Sequence, residues 1–215
     1  MKNAVGQILW LAGLAAASVL ALLAVDRLTR EPAVHAQQRA ADFALEELLP
    51  GFAEGSPLAL DSVAIPQQYW LGLGLTAPAQ VQRVRRGSDI LAVLVPTIST
   101  QGYGGPIQLL VGIDRHGMIT GVRVVAEQET PGLGDRIRAD RSDWLRSFVG
   151  TSRDAPPAAG WQVRKEGGAF DAIAGATISS RAVIRQVRRA LDYFHEDRQH
   201  LLRATARAVA PETAP

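Results

Sequence analysis

From Ala4 to Val25 the sequence is apolar except at Gln7 and Ser18, and no other segment restricts the fold as tightly. A helix of roughly 20 residues, rising 1.5 Å per residue, crosses a hydrocarbon core of about 30 Å. Lys2 precedes the run, and Asp26, Arg27 and Arg30 close it. A cleaved signal is the competing reading, with Val34 and Ala36 as small residues ahead of Gln37. The run exceeds the roughly 7–15 apolar residues of a signal, and a charged stretch separates it from Ala36, so a retained anchor is preferred. Cations flank both ends, which leaves the orientation open to the positive-inside rule. Ile90–Val95 and Ile107–Ile113 are apolar but only strand length, so no second span is expected.

The remainder has an ordinary globular composition: the 215-residue chain is 47% hydrophobic and 20% charged. It has no cysteine. That removes disulfides, thiolate zinc sites, Cys-ligated iron–sulfur clusters, thiol nucleophiles and cysteine-linked cofactors. Lys and Arg number 23 against 21 Asp and Glu, interspersed and without an RNP-like motif, so no nucleic-acid partner is expected. The histidines are His35, His116, His195 and His200. No two stand at i, i+4, and His195 and His200 lie about 140° apart around a helix, so no metal site is expected.

The patterning predicts an α+β fold: one N-terminal membrane helix, then a mixed domain with an antiparallel sheet and a long C-terminal helix. Residues 1–30 read as the anchor, 31–88 as a linker helix and the first part of the folded domain, 89–203 as its main part and 204–215 as a disordered tail. Pro32–Leu49 reads as a helix stopped by Pro50-Gly51, and Gly51–Arg86 as irregular with short strands. Asp89–Ser99, Pro106–Asp114 and Met118–Glu127 read as strands, the last two joined at Asp114–Gly117 by a hairpin. Asp135–Phe148 reads as mostly helical, and Trp161–Lys165 with Ala169–Ile173 as a strand–turn–strand unit. Gly72-Leu73-Gly74-Leu75-Thr76-Ala77 matches G-x-G-x-x-A but lacks a β-α-β frame, so a turn is the better reading. A final helix begins at Ser180. Val183, Ile184, Val187, Leu191 and Phe194 form its core stripe, and Arg181, Arg185, Arg188 and Arg189 its solvated side.

Asp171-Ala172-Ile173-Ala174-Gly175-Ala176-Thr177-Ile178-Ser179-Ser180 is the segment with chemical content. At its plainest it is a tight turn with Ser179 or Ser180 as helix N-cap. Thr177 also stands just ahead of a first helical turn, where unpaired N–H groups and the helix dipole favour a phosphate, and small neighbours permit close approach.

Asp171 through Thr177 resembles the D-x-x-x-G-A-T acceptor motif of bacterial proteins that carry FMN as a phosphoester on threonine. Gly102-Tyr103-Gly104-Gly105-Pro106-Ile107-Gln108 and Glu129-Thr130-Pro131-Gly132-Leu133-Gly134-Asp135 resemble two further motifs of one branch, the G subunits of Rnf-type ion-translocating electron-transport complexes. The resemblance runs from the anchor to about Phe194. The C subunit of sodium-translocating NADH:quinone reductases shares these motifs and is the alternative, as is an anchored FMN-binding sensory module. Ala174 departs from the Ser or Thr of many relatives.

The resemblance implies that a flavin transferase moves FMN from FAD to Thr177, reading Asp171 as it does so. It implies a cofactor site of Gly175, Ala176, Thr177, Ile178, Ser179 and Ser180. It also implies that the Glu129, Thr130, Pro131, Gly132, Leu133 and Gly134 loop, and Tyr103, lie at the ring. No residue of the chain is catalytic, because the isoalloxazine does the electron chemistry. The implied partners are the other membrane subunits of the complex and the lipid bilayer. The implied location is the cytoplasmic membrane, with the domain on its periplasmic side.

Overall fold

The computed structural model describes residues 58–203 together with Leu48. The anchor, the tail and all of the Pro32–Leu49 helix except Leu48 lie outside the described residues. Among the described residues no helix is long and apolar enough to cross a membrane.

Alternating Ile, Val and Leu drive the central strands, since branched side chains pack well on a pleated surface. The five strands are β1 (Ala59–Ala64), β2 (Gln80–Arg86), β3 (Asp89–Ser99), β4 (Ile107–Asp114) and β5 (Ile119–Ala126). Each pairs antiparallel with the next, in the order β1-β2-β3-β4-β5. The expected hairpin forms: Asp114 Oδ1 accepts from the N–H groups of His116 and Met118, and Gly117 turns the chain at φ +89°. The register sets Val93 opposite Ile113 and Val95 opposite Val111, and these buried residues form one face of the sheet. On the other face Leu48 is fully buried over Gly112, where an added Cβ would meet the Leu48 carbonyl at 3.1 Å.

Helix α1 (Trp70–Leu73) ends at Gly74, left-handed at φ +69°. The G-x-G-x-x-A stretch is thus a helix stop, and the antiparallel sheet supplies no β-α-β frame for a dinucleotide fold. Helix α2 (Thr177–Glu196) buries Val183, Ile184, Val187, Leu191 and Phe194 against β3 and β4, as their spacing requires. Helix α3 (Arg198–Leu201) follows. Gln186 of α2 is buried and donates to Thr97 Oγ1 of β3 and the Gly72 carbonyl, while Thr97 donates to the Leu73 carbonyl at 2.9 Å. One polar knot therefore ties sheet, α1 and α2.

Four expectations need correction. Asp135–Phe148 is not a helix but two short 3-10 turns, Gly134–Ile137 and Trp144–Phe148. Ser142 competes for the backbone, donating to the Arg136 carbonyl and accepting from Trp144 N–H. The expected second strand–turn–strand unit is one isolated bridge, Val163 to Phe170, across the 3-10 turn Arg164–Glu166. Its aromatics turn inward instead: Phe148 stacks on Phe170 at 4.8 Å and Trp161 lies 5.1 Å from Phe170. Helix α2 begins at Thr177 rather than Ser180, with Ala176 at the N-cap. The arginine side of α2 is only partly solvated. Arg181 pairs with Glu166, and Arg188 lies over the Trp161 ring while donating to the Arg153 carbonyl.

Candidate functional site

Thr177 is the first residue of α2, half-exposed at a helix start that no side chain caps and whose first turn holds no acid. The first-turn amides of Thr177, Ile178 and Ser179 therefore have the polarity that favours an anion. Neither serine caps the helix start. Ser180 Oγ accepts from Ile173 N–H at 3.0 Å and donates to the Ala176 carbonyl at 2.9 Å, closing the acceptor turn. Ser179 Oγ donates to Glu129 Oε2 at 2.6 Å. Each hydroxyl has a single proton, and both protons are used inside the protein.

The three motifs meet at Glu129, which is only 6% exposed. Its Oε2 takes the Ser179 hydroxyl, and its Oε1 takes the Gly104 N–H at 3.2 Å. Glycines fit around it because nothing larger does: a Cβ on Gly102 would come 2.5 Å from Oε1, and one on Gly134 would come 2.7 Å from Oε2. Beyond Glu129 the loop turns back on itself, with the Thr130 carbonyl accepting from Leu133, Gly134 and Asp135 N–H groups. Asp135 Oδ1 takes Gly132 N–H at 2.8 Å. Thr130 and Pro131 are exposed. The fold delivers Leu133 to the acceptor turn: a Cβ on Gly175, left-handed at φ +80°, would lie 2.9 Å from Leu133 Cδ2. Leu133 and Ile178 remain 47% exposed and Tyr103 71%, large apolar surfaces on the three converging segments.

Beside Thr177 is a cleft of about 460 Å³ lined by Arg164, Lys165, Asp171, Ile173, Gly175 and Thr177 among others. Asp171 is exposed, and both its carboxylate oxygens bind the Arg164 guanidinium, at 2.6 and 3.2 Å. Its carbonyl accepts from Trp144 Nε1 at 2.6 Å. Arg164, Lys165 and Trp144 were absent from the sequence-based site. Lys165 carried a signal nonetheless, as one of two lysines in a chain otherwise rich in arginine. A larger groove of about 820 Å³ along β5, lined by Val122, Asp140, Asp143 and Arg146 among others, contains none of the motif residues.

An FMN-binding domain model matches residues 102–192, a span that takes in all three motifs. The G subunit of the ion-translocating oxidoreductase complex of Pseudomonas aeruginosa (strain UCBPP-PA14) is 44% identical over 191 residues, covering 88% of this chain and 85% of that protein. Its namesake from Shewanella piezotolerans is 33% identical over 206 residues, 96% of this chain and 94% of its own. That of Vibrio cholerae serotype O1 is 37% identical over 174 residues, 81% and 82% of the two chains. With such identity over most of both lengths, the chain belongs to the family of G subunits of ion-translocating oxidoreductase complexes.

Proposed function

We propose that this chain is the flavoprotein G subunit of an Rnf-type ion-translocating oxidoreductase complex, carrying FMN as a phosphoester on Thr177 and relaying electrons between neighbouring subunits. The observation that carries the reading is the convergence of three sequence-distant motifs on an uncapped helix start whose first residue is a threonine. The residues fit the group. A cleft of about 460 Å³ is of the size that holds small cofactors. Gly175 and Ala176 keep the approach to Thr177 open, and Arg164 and Lys165 bring positive charge to the cleft. Leu133, Ile178 and Tyr103 offer exposed apolar surface to a planar ring.

Attachment is a phosphoryl transfer. Thr177 Oγ1 bonds to the flavin-side phosphorus of FAD, the phosphoanhydride breaks, AMP departs, and the hydroxyl proton passes to a base of the transferase. Asp171, exposed at the mouth of the cleft, is the group the transferase reads. Once bound, the flavin supplies the electron-transfer chemistry, and the protein supplies position, polarity and exclusion of water. The loop from Glu129 to Gly134 is the ring's platform, with Leu133 as its apolar surface. In this reading residues 1–30 are the anchor of the domain to the cytoplasmic membrane, on the periplasmic side and beside the membrane subunits of the complex.

Coexpression with a flavin transferase followed by intact mass tests the assignment. Wild type gains the mass of FMN less one water, and Thr177→Ala gains nothing while keeping the melting temperature of the unloaded wild type. Covalent flavin fluorescence surviving in Thr177→Ala on a denaturing gel overturns the assignment.

A further inference from the structure

We propose that the buried carboxylate of Glu129 holds the flavin's reduction potential down, its negative charge kept inside the site by Ser179 and Gly104; this rests on FMN being carried at Thr177. Two neutral donors satisfy its oxygens: the Ser179 hydroxyl on Oε2 and the Gly104 amide on Oε1. Among the described residues no Lys, Arg or His forms an ion pair with it. Both of its oxygens are placed as acceptors, the arrangement a carboxylate takes. A buried carboxylate without a cation is costly to keep, and Gln would fill the same volume at lower cost. The charge therefore needs a reason beyond packing.

Its position supplies the reason. Ser179 lies two residues after the acceptor threonine, and the segment that begins with Glu129 places Leu133 on Gly175. The charge thus sits between the platform loop and the acceptor turn, in a setting where low polarizability strengthens its field. Reduction adds negative charge to a flavin, so a fixed negative neighbour disfavours the reduced form. The same carboxylate also aligns the loop at Gly102–Gly105, the loop at Glu129–Gly134 and the first turn of α2, because each contributes a contact to it.

Glu129→Gln isolates the charge. The Gln oxygen accepts from Gly104, and its amide donates to Ser179 Oγ, which can turn to accept. Both hydrogen bonds and the shape survive. The experiment loads the full-length chain with FMN by a transferase, checks loading by intact mass, and measures the midpoint potential by spectroelectrochemical titration at fixed pH. The expected result is a melting temperature no lower than that of wild type and, in the loaded protein, a shift of the midpoint to more positive potential. A midpoint equal to wild type in a fully loaded variant overturns the inference while leaving the Thr177 assignment standing. A wild type without covalent flavin sinks both. If Glu129→Gln fails to fold, Ser179→Ala takes its place: removing the hydroxyl dipole leaves the charge less screened and moves the midpoint negative, and a midpoint that stays put or turns positive counts against the role.

Discussion

Gly175→Ala separates two ways in which the acceptor turn constrains its sequence. Gly175 has φ +80°, and a Cβ there would stand 2.9 Å from Leu133 Cδ2. Gly132 has nearly the same backbone, φ +79°, but a Cβ there would meet nothing within 4 Å. Placing an L-residue in the left-handed region costs about 1–2 kcal/mol, and both substitutions incur it. Only Gly175→Ala must also displace Leu133, whose half-exposed side chain can swing outward, so that term belongs at the low end of overpacking, about 1 kcal/mol. For a domain of this size each kcal/mol lowers the melting temperature by roughly 2–4 °C. Gly132→Ala is expected to melt roughly 2–8 °C below wild type, and Gly175→Ala roughly 2–4 °C lower still. The assay is thermal unfolding followed by circular dichroism, repeated for both substitutions in a Leu133→Ala background, where the difference between them disappears. Equal losses with Leu133 present would show that Leu133 does not press on the turn, and no loss in either variant would refute the backbone argument itself.

Asp171→Ala is expected to slow flavin loading by a transferase several-fold without moving the melting temperature, because the carboxylate is exposed and, among the described residues, bonded only to Arg164; loading at the wild-type rate refutes its recognition role. Phe148→Ala removes a fully buried ring stacked on Phe170 and Trp161 and should cost about 3–5 kcal/mol in urea denaturation, so a loss below about 1 kcal/mol contradicts the packing described. The buried Arg83 guanidinium binds both oxygens of Asp61, at 2.5 and 2.8 Å, and through that bond holds its carboxyl below the ordinary value of 3.8. Stability from this pair is fully present above 3.8 and is lost as pH falls through the lower folded value. Asp61→Asn is accordingly less stable than wild type at neutral pH, and melts in increasingly acid buffer should show the gap closing; a constant gap refutes the linkage.

The strands at the centre of the sheet were legible because their Ile and Val residues serve one purpose, burial on a pleated face. The stripe on α2 was legible for the same reason. Trp144, Leu145 and Phe148 misled because their spacing suits a helix and a 3-10 turn alike, and the decision lay with Ser142 and its hydrogen bonds to the backbone. Trp161 and Phe170 have strand propensity, yet their rings gain more by packing on Phe148 than a ladder would return. At the acceptor turn the motif marked Thr177 and the helix beyond it, but propensity favoured serine caps over Ala176. The bond from Ser179 to Glu129 crosses 50 residues, and no local pattern encodes such a pairing. Glycines at 102, 104 and 134 were the trace it left, and their meaning emerges only when the carboxylate they enclose is seen.

The neighbour-to-neighbour order of the strands has a consequence for how the chain matures. Every pairing in the sheet joins consecutive segments, so the sheet can zip from successive hairpins with short loop closures, the fast kind of assembly. The helix that covers it is far downstream, running from Thr177 to Glu196. A chain emerging N-terminus first therefore passes through a stage with its strands complete and their apolar side still bare, when sticking to other chains is the competing fate. Arrival of the helix ends that stage and at the same moment completes the turn that Ser180 closes ahead of Thr177. In a half-made domain the cleft beside Thr177 consequently does not yet exist.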